Sequence, residues 1–175
     1  MPVAPHAKRA APPAALYMQV LSHLARHEPT ARWRSKVTLQ AKHWRGGNAY
    51  TSAGDMRLHK FITDEVSGQL LKSFAGFFLL SRESVAALLD TTPKTVRSRE
   101  TSEKLPVADV ERIARYVRVW TAACGTFEDE EYARQWLHNP SEALGNKVPF
   151  ALLSTGDGER LALDELGRIE HGLPV

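Results

Sequence analysis

Apolar residues spaced by three and four along two stretches set the class of this chain before composition is considered. Between Asp64 and Leu80, the residues Val66, Leu70, Leu71, Phe74, Phe77 and Phe78 fall on one face of a helix. Val107, Val110, Ile113, Ala114, Val117, Trp120, Thr121 and Cys124 repeat that spacing on the longest expected helix, whose other face shows Arg112, Arg115 and Arg118. No segment alternates apolar and polar residues between hairpin turns, so strands are expected to be few or absent. The expected fold class is all-α.

Between these helices the stretch from Leu80 to Lys104 carries two helix starts in close succession. Ser81 is placed to cap a helix beginning at Arg82, with Val85, Leu88 and Leu89 facing inward and a stop near Asp90. Thr92 then caps a second helix whose first position is Pro93, where no amide donor is required. Two short helices across a tight turn make a helix-turn-helix, and the second helix of such a pair enters the major groove. Thr92, Lys94, Thr95, Arg97, Ser98 and Arg99 are the candidate DNA-binding residues, while Val96 is expected to point into the core. Arg97 and Arg99 each offer a bidentate fork to guanine or a charge to phosphate; Thr92 and Ser98 suit phosphate contacts. Two ordinary packed helices with a solvated basic face fit the same pattern.

Charge is unevenly distributed. Residues 1–60 hold ten Lys and Arg against two acids, while residues 61–175 hold thirteen against eighteen. This suggests a basic arm able to sit on phosphate ahead of a mildly acidic body suited to a protein partner. Residues 1–15, rich in Ala and Pro, are expected to be disordered. Residues 15–26 suggest one short amphipathic helix built on Leu16, Met18, Val20, Leu21 and Leu24. Residues 28–56 read as irregular, with Trp33 and Trp44 better suited to anchor on neighbouring helices than to stack on nucleic acid.

The single cysteine, Cys124, excludes an internal disulfide framework and fits a reducing compartment, and no apolar run approaches the ~18 residues needed to span a bilayer. The expected location is the cytoplasm, with no membrane contact. His23 and His27 lie four apart, but no third ligand follows at a suitable spacing, so no metal site is expected. Cys124 has no nearby His at a motif spacing and reads as a buried structural thiol, and no glycine-rich phosphate loop is present. The run Glu128 to Glu131 reads as a negative helix start. Neither a catalytic constellation nor a cofactor is expected.

The last third of the chain carries a more specific pattern. Ala133, Trp136 and Leu137 are followed by Pro140, Ala143, Leu144 and Gly145, then by Pro149, Leu152, Leu153, Thr155 and Gly156. The pattern closes with Leu166, Gly167, Arg168, Ile169, Glu170, His171 and Gly172. In order and spacing these residues resemble the toxin-binding domain of the Xre/MbcA/ParS antitoxin family, here preceded by an Xre-like helix-turn-helix. The resemblance covers about residues 64–175. Asn146 and Lys147 depart from it where the family more often has a second glycine, and the basic extension has no counterpart.

Three parts are expected: a basic, largely irregular extension over 1–60, read from composition, and, as the resemblance implies, an Xre-like helix-turn-helix domain with dimerising helices over 61–125 and a toxin-binding domain over 126–175. The resemblance is to an antitoxin family. It implies an antitoxin rather than an enzyme. Its expected partners are a cognate RES-domain toxin that consumes NAD or transfers ADP-ribose, operator DNA, and a second copy within a larger toxin–antitoxin complex. Within the segment, Pro140 and Pro149 are expected to start short helices, Gly156 to Gly158 to form a loop, and Glu159 to His171 to form the last helix, ended by Gly172. The bulk of the core is expected before Thr155. Arg168, Glu170, His171, Gly172, Leu173 and Val175 are the candidate toxin-binding residues. Glu170 or the Val175 carboxylate suits a pocket built for pyrophosphate, whereas Arg168 suits a toxin acid. Arg168 paired inside the chain and His171 favouring the helix C-terminus are equally compatible with the residues.

Overall fold

A computed structural model describes residues 20–26, 59–64 and 66–172, and among these the regular structure is helical, as the spacing requires. The only extended pairing it records is an isolated bridge between Ser141 and Lys147. After short helical stretches at 20–24 and 59–63, seven helices follow: α1 (Gln69–Phe78), α2 (Arg82–Leu88), α3 (Pro93–Arg99), α4 (Val107–Phe127), α5 (Glu130–His138), α6 (Pro149–Leu152) and α7 (Gly156–Glu170). A single 3-10 turn, Glu142–Leu144, joins α5 to α6. The expectations for residues 1–15 and 28–56 lie outside the described residues. Of the helix expected over 15–26, residues 20–24 are helical, and Val20, Leu21 and Leu24 are fully buried in the core.

The α4 helix is the axis on which the rest packs. Ile113, Ala114, Val117, Val119, Ala123 and Cys124 are all at 0% exposure, so its apolar positions are enclosed on more than one side. The aromatic face of α1 closes on it: Phe74 meets Tyr116 edge-on at 5.2 Å, and Phe77 meets Trp120 at 5.7 Å. Ala133 and Leu137 of α5 and Ala162 and Leu166 of α7 complete the same cluster. Among the described residues the bulk of the core lies before Thr155, as expected, and α7 adds Ala162 and Leu166 to it.

Two starts differ from the sequence reading for identifiable reasons. The helix expected from Asp64 begins only at Gln69, because residues 66–68 pair with the segment after α3. The Gly68 amide donates to the Ser102 carbonyl at 2.8 Å, and the Leu105 amide to the Val66 carbonyl at 2.7 Å. The loop expected at Gly156 to Gly158 is instead the first turn of α7, because the Thr155 hydroxyl accepts from the Gly158 amide at 3.1 Å. Pro140 likewise begins no helix; it precedes the Ser141–Lys147 bridge and the 3-10 turn. Pro149 does start α6.

Gly158 is required by close approach. A Cβ there would stand 1.9 Å from the Leu152 carbonyl oxygen, and the obstacle is backbone that cannot rotate away. Gly158→Ala is expected to destabilise the protein by about 1–3 kcal/mol, as overpacking of a tight contact does. Gly167, on the same helix, would meet nothing within 4 Å and serves as the control, its alanine variant being neutral or slightly stabilising. Urea unfolding of both variants checks the contrast; equal effects would remove the close-packing argument.

Candidate functional sites

The helix pair α2–α3 is capped at both starts as the residue types demand. Ser81 Oγ accepts from the Ser84 amide at 3.1 Å, and Thr92 Oγ1 from the Thr95 amide at 3.2 Å, with Pro93 at the first helical position. Val96 is 1% exposed and anchors α3 to the core. Lys94, Arg97 and Ser98, spaced by three and four, therefore share one outward face, and all three are exposed. The Thr92 and Thr95 hydroxyls lie 2.9 Å apart at the cap.

Arg99 lies off that face. Its Nη1 donates to both carboxylate oxygens of Asp109 at 2.9 and 2.7 Å, and Asp109 is 2% exposed. Burial raises the Asp109 carboxyl above its ordinary value, with Arg99 and Arg112 opposing the shift. Arg82 of α2 reaches Glu100, the residue capping α3, at 3.3 Å, so the two ends of the helix pair are tied together.

Arg112, Arg115 and Arg118, expected as an outward polar face of α4, all reach other elements. Arg112 donates to the Leu89 carbonyl at 2.7 Å, closing the end of α2. Arg115 donates to the Ser154 carbonyl at 3.0 Å, ahead of α7. Arg118 makes a two-pronged pair with Glu159 at 2.5 and 2.7 Å, the two side chains being 10% and 7% exposed. With Asp109 these four residues form an i, i+3 ladder joining α4 to α3, α2, the α6–α7 turn and α7. The spacing was visible in the sequence; the partners, up to 41 residues away, were not.

The α7 helix has one buried face, formed by Gly158, Glu159, Ala162, Glu165 and Leu166, and one face outward. The outward face carries Leu161 at 43% exposure and, one residue before the end, Ile169 at 39%. Arg168, Glu170, His171 and Gly172 are exposed at its C-terminal end. Gly172 takes φ +61°, a left-handed ending that glycine accommodates without strain, and its amide donates to the Ile169 carbonyl at 3.2 Å. Leu173 and Val175 lie outside the described residues. The sequence reading did not single out Leu161 and named Ile169 only as part of the closing pattern, not as an exposed apolar residue. The signal was present: once Ala162 and Leu166 occupy the core face, these two apolar residues are left over.

These features define a class: a small all-helical protein with a capped helix pair on one side of a central helix and a half-exposed amphipathic helix on another. Residues 125–172 match the family model of the antitoxin Xre/MbcA/ParS C-terminal toxin-binding domain. The match covers the segment from the end of α4 to the end of α7. The chain is also 38% identical over 78 residues to "Antitoxin Xre" of Yersinia enterocolitica, covering 44% of this chain and 53% of that protein. It is 38% identical over 71 residues to "Antitoxin Xre" of Photorhabdus laumondii, covering 40% and 48%. The chain thus spans about half the length of the curated relatives it matches. Among the described residues no helix is long and apolar enough to cross a membrane.

Proposed function

We propose that the chain is an antitoxin that captures a RES-domain toxin with α7 and the residues after it, and that it represses its own operon through α3. The observation that carries the reading is the position of the family match: it falls on the segment that ends in α7, whose outward face joins Leu161 and Ile169 to Arg168. Half-exposed apolar residues beside charges are what a protein interface requires of its centre and rim. Gly172 and the short tail with Leu173 and Val175 would enter the toxin's concave site, while Glu170 and His171 would line its mouth. In this reading the chain covers a NAD-binding active site in the cytoplasm and performs no chemistry of its own.

The same proposal assigns operator contact to Lys94, Arg97 and Ser98, with Thr92 and Thr95 setting the start of α3. A dimer places two such helices one helical turn apart on DNA. Division into a helix-turn-helix part over 61–125 and a toxin-binding part over 126–175 follows from these roles.

Co-expression with the protein encoded beside it, followed by an assay of NAD consumption, tests the toxin arm. A stable complex is expected, with activity appearing when the antitoxin is removed. Ending the chain after Gly167 keeps Leu166 in the core and is expected to release the toxin's activity while helical content remains. Full protection by that shortened chain would refute capture by the end of α7.

A further inference from the structure

The end of α3 is held by two kinds of contact. Side-chain pairs tie Arg99 to Asp109 and Glu100 to Arg82, and such pairs can turn or lengthen as a helix shifts. The other contact is backbone against backbone. Gly68 lies buried at the cap of α1, and a Cβ there would stand 2.7 Å from the Glu100 carbonyl and closer still to the Arg99 carbonyl oxygen. Both are well inside the ~3.5 Å of van der Waals contact. The φ of Gly68 is −58°, which any residue adopts, so the position needs glycine for space alone.

Which helix would give way to an added methyl follows from what each one buries. Leu70, Leu71, Phe74, Phe77 and Phe78 fix α1 in the core, whereas α3 buries Val96 alone. Gly68 is part of the fixed side, because its carbonyl accepts from the Lys72 amide of α1 at 3.2 Å. The pairing of Val66 and Gly68 with Leu105 and Ser102 forms a clasp, and Val66 and Leu105 are themselves buried. Gly68 is therefore a stop set in the core, and α3 is the element whose position it decides. Lys94, Arg97 and Ser98 ride on that element.

We propose that Gly68 is a positioning residue for DNA reading: its missing side chain lets the end of α3 close on α1, and this sets the angle at which Lys94, Arg97 and Ser98 meet base edges. The inference rests on the operator role proposed for α3. Contacts to base edges carry the sequence information, whereas the charge that holds any DNA does not depend on register. A displaced α3 therefore loses discrimination and keeps its general affinity.

The test compares Gly68→Ala with Gly158→Ala in the full chain, since each adds a methyl against a backbone carbonyl but only the first touches α3. The readout is the ratio of affinities for the operator and for unrelated DNA of equal length. Gly68→Ala is expected to lower that ratio about tenfold or more, the weight of one base contact, with binding to unrelated DNA unchanged. Gly158→Ala should leave the ratio as it is in the parent. An unchanged ratio in Gly68→Ala overturns the proposal, as does an equal fall in both variants, which loss of stability alone would give. A parent that does not distinguish the operator refutes the operator role of α3, a failure visible before any variant is made. Hydrogen exchange in the parent needs no variant to fold: the Gly68 and Leu105 amides are expected to exchange together with those of Val96 and Glu100. A clasp that stays closed while α3 exchanges overturns the proposal.

Discussion

Arg118→Ala is expected to lower the unfolding free energy by roughly 3–5 kcal/mol, the effect of leaving a buried charge without its partner. Glu159 is 5% exposed and receives both prongs of the guanidinium, so removal of Arg118 strands a carboxylate that water cannot reach without opening α7 from α4. The pair itself contributes less than this figure, because its formation also required desolvating two ions. A double variant, Arg118→Leu with Glu159→Leu, is therefore expected to recover much of the loss. Urea unfolding of single and double variants measures both. A single variant as stable as the parent would mean that Glu159 finds another partner, and the ladder along α4 would lose its strongest rung.

The ladder also shows where sequence reading stops. Arg112, Arg115 and Arg118 recur at a spacing that reads as a solvated helix face, since in one sequence a solvated arginine and one wrapped by another element look alike. Only the placement of Leu89, Ser154 and Glu159 distinguishes them. Glu165 makes a related point: nothing in its charge marks it as a core residue, yet it is 4% exposed.

What was legible is what local physics determines. Ser81, Thr92 and Pro93 announce helix starts because the capping oxygen and the missing proline amide act within one turn. The apolar faces of α1 and α4 were legible because burial selects every third and fourth residue. The start of α7 was not: two glycines within three residues read as a loop, whereas Thr155 caps a helix there and Gly158 is small because the Leu152 carbonyl lies against it. A tertiary contact overrode a local propensity. For the candidate site, the end of α7 was named by resemblance, whereas the exposed apolar residues Leu161 and Ile169 stand out only once the core face of that helix is known.

Arg97 and Arg99, two residues apart and chemically identical, are expected to behave in opposite ways. Arg97→Ala should weaken operator binding by about 1–3 kcal/mol, the range for a base contact, and leave stability unchanged, since the side chain lies on the exposed face of α3. Arg99→Ala should instead lower stability, because it removes both hydrogen bonds to a buried Asp109. The pH dependence separates the two causes. Burial already holds the Asp109 carboxyl above its ordinary value, and loss of Arg99 raises it further. A group whose folded pKa lies above its unfolded value contributes most below the unfolded value, about 3.9 for Asp, and that contribution is lost as pH rises through the folded value. The deficit of Arg99→Ala relative to the parent should therefore shrink as pH is lowered from 7 towards about 4. Unfolding curves at the two pH values, with gel-shift titrations of both variants on the operator, read out the split. An Arg99→Ala protein that is stable at neutral pH yet loses operator affinity would return Arg99 to the DNA-reading set and leave Asp109 without its assigned partner.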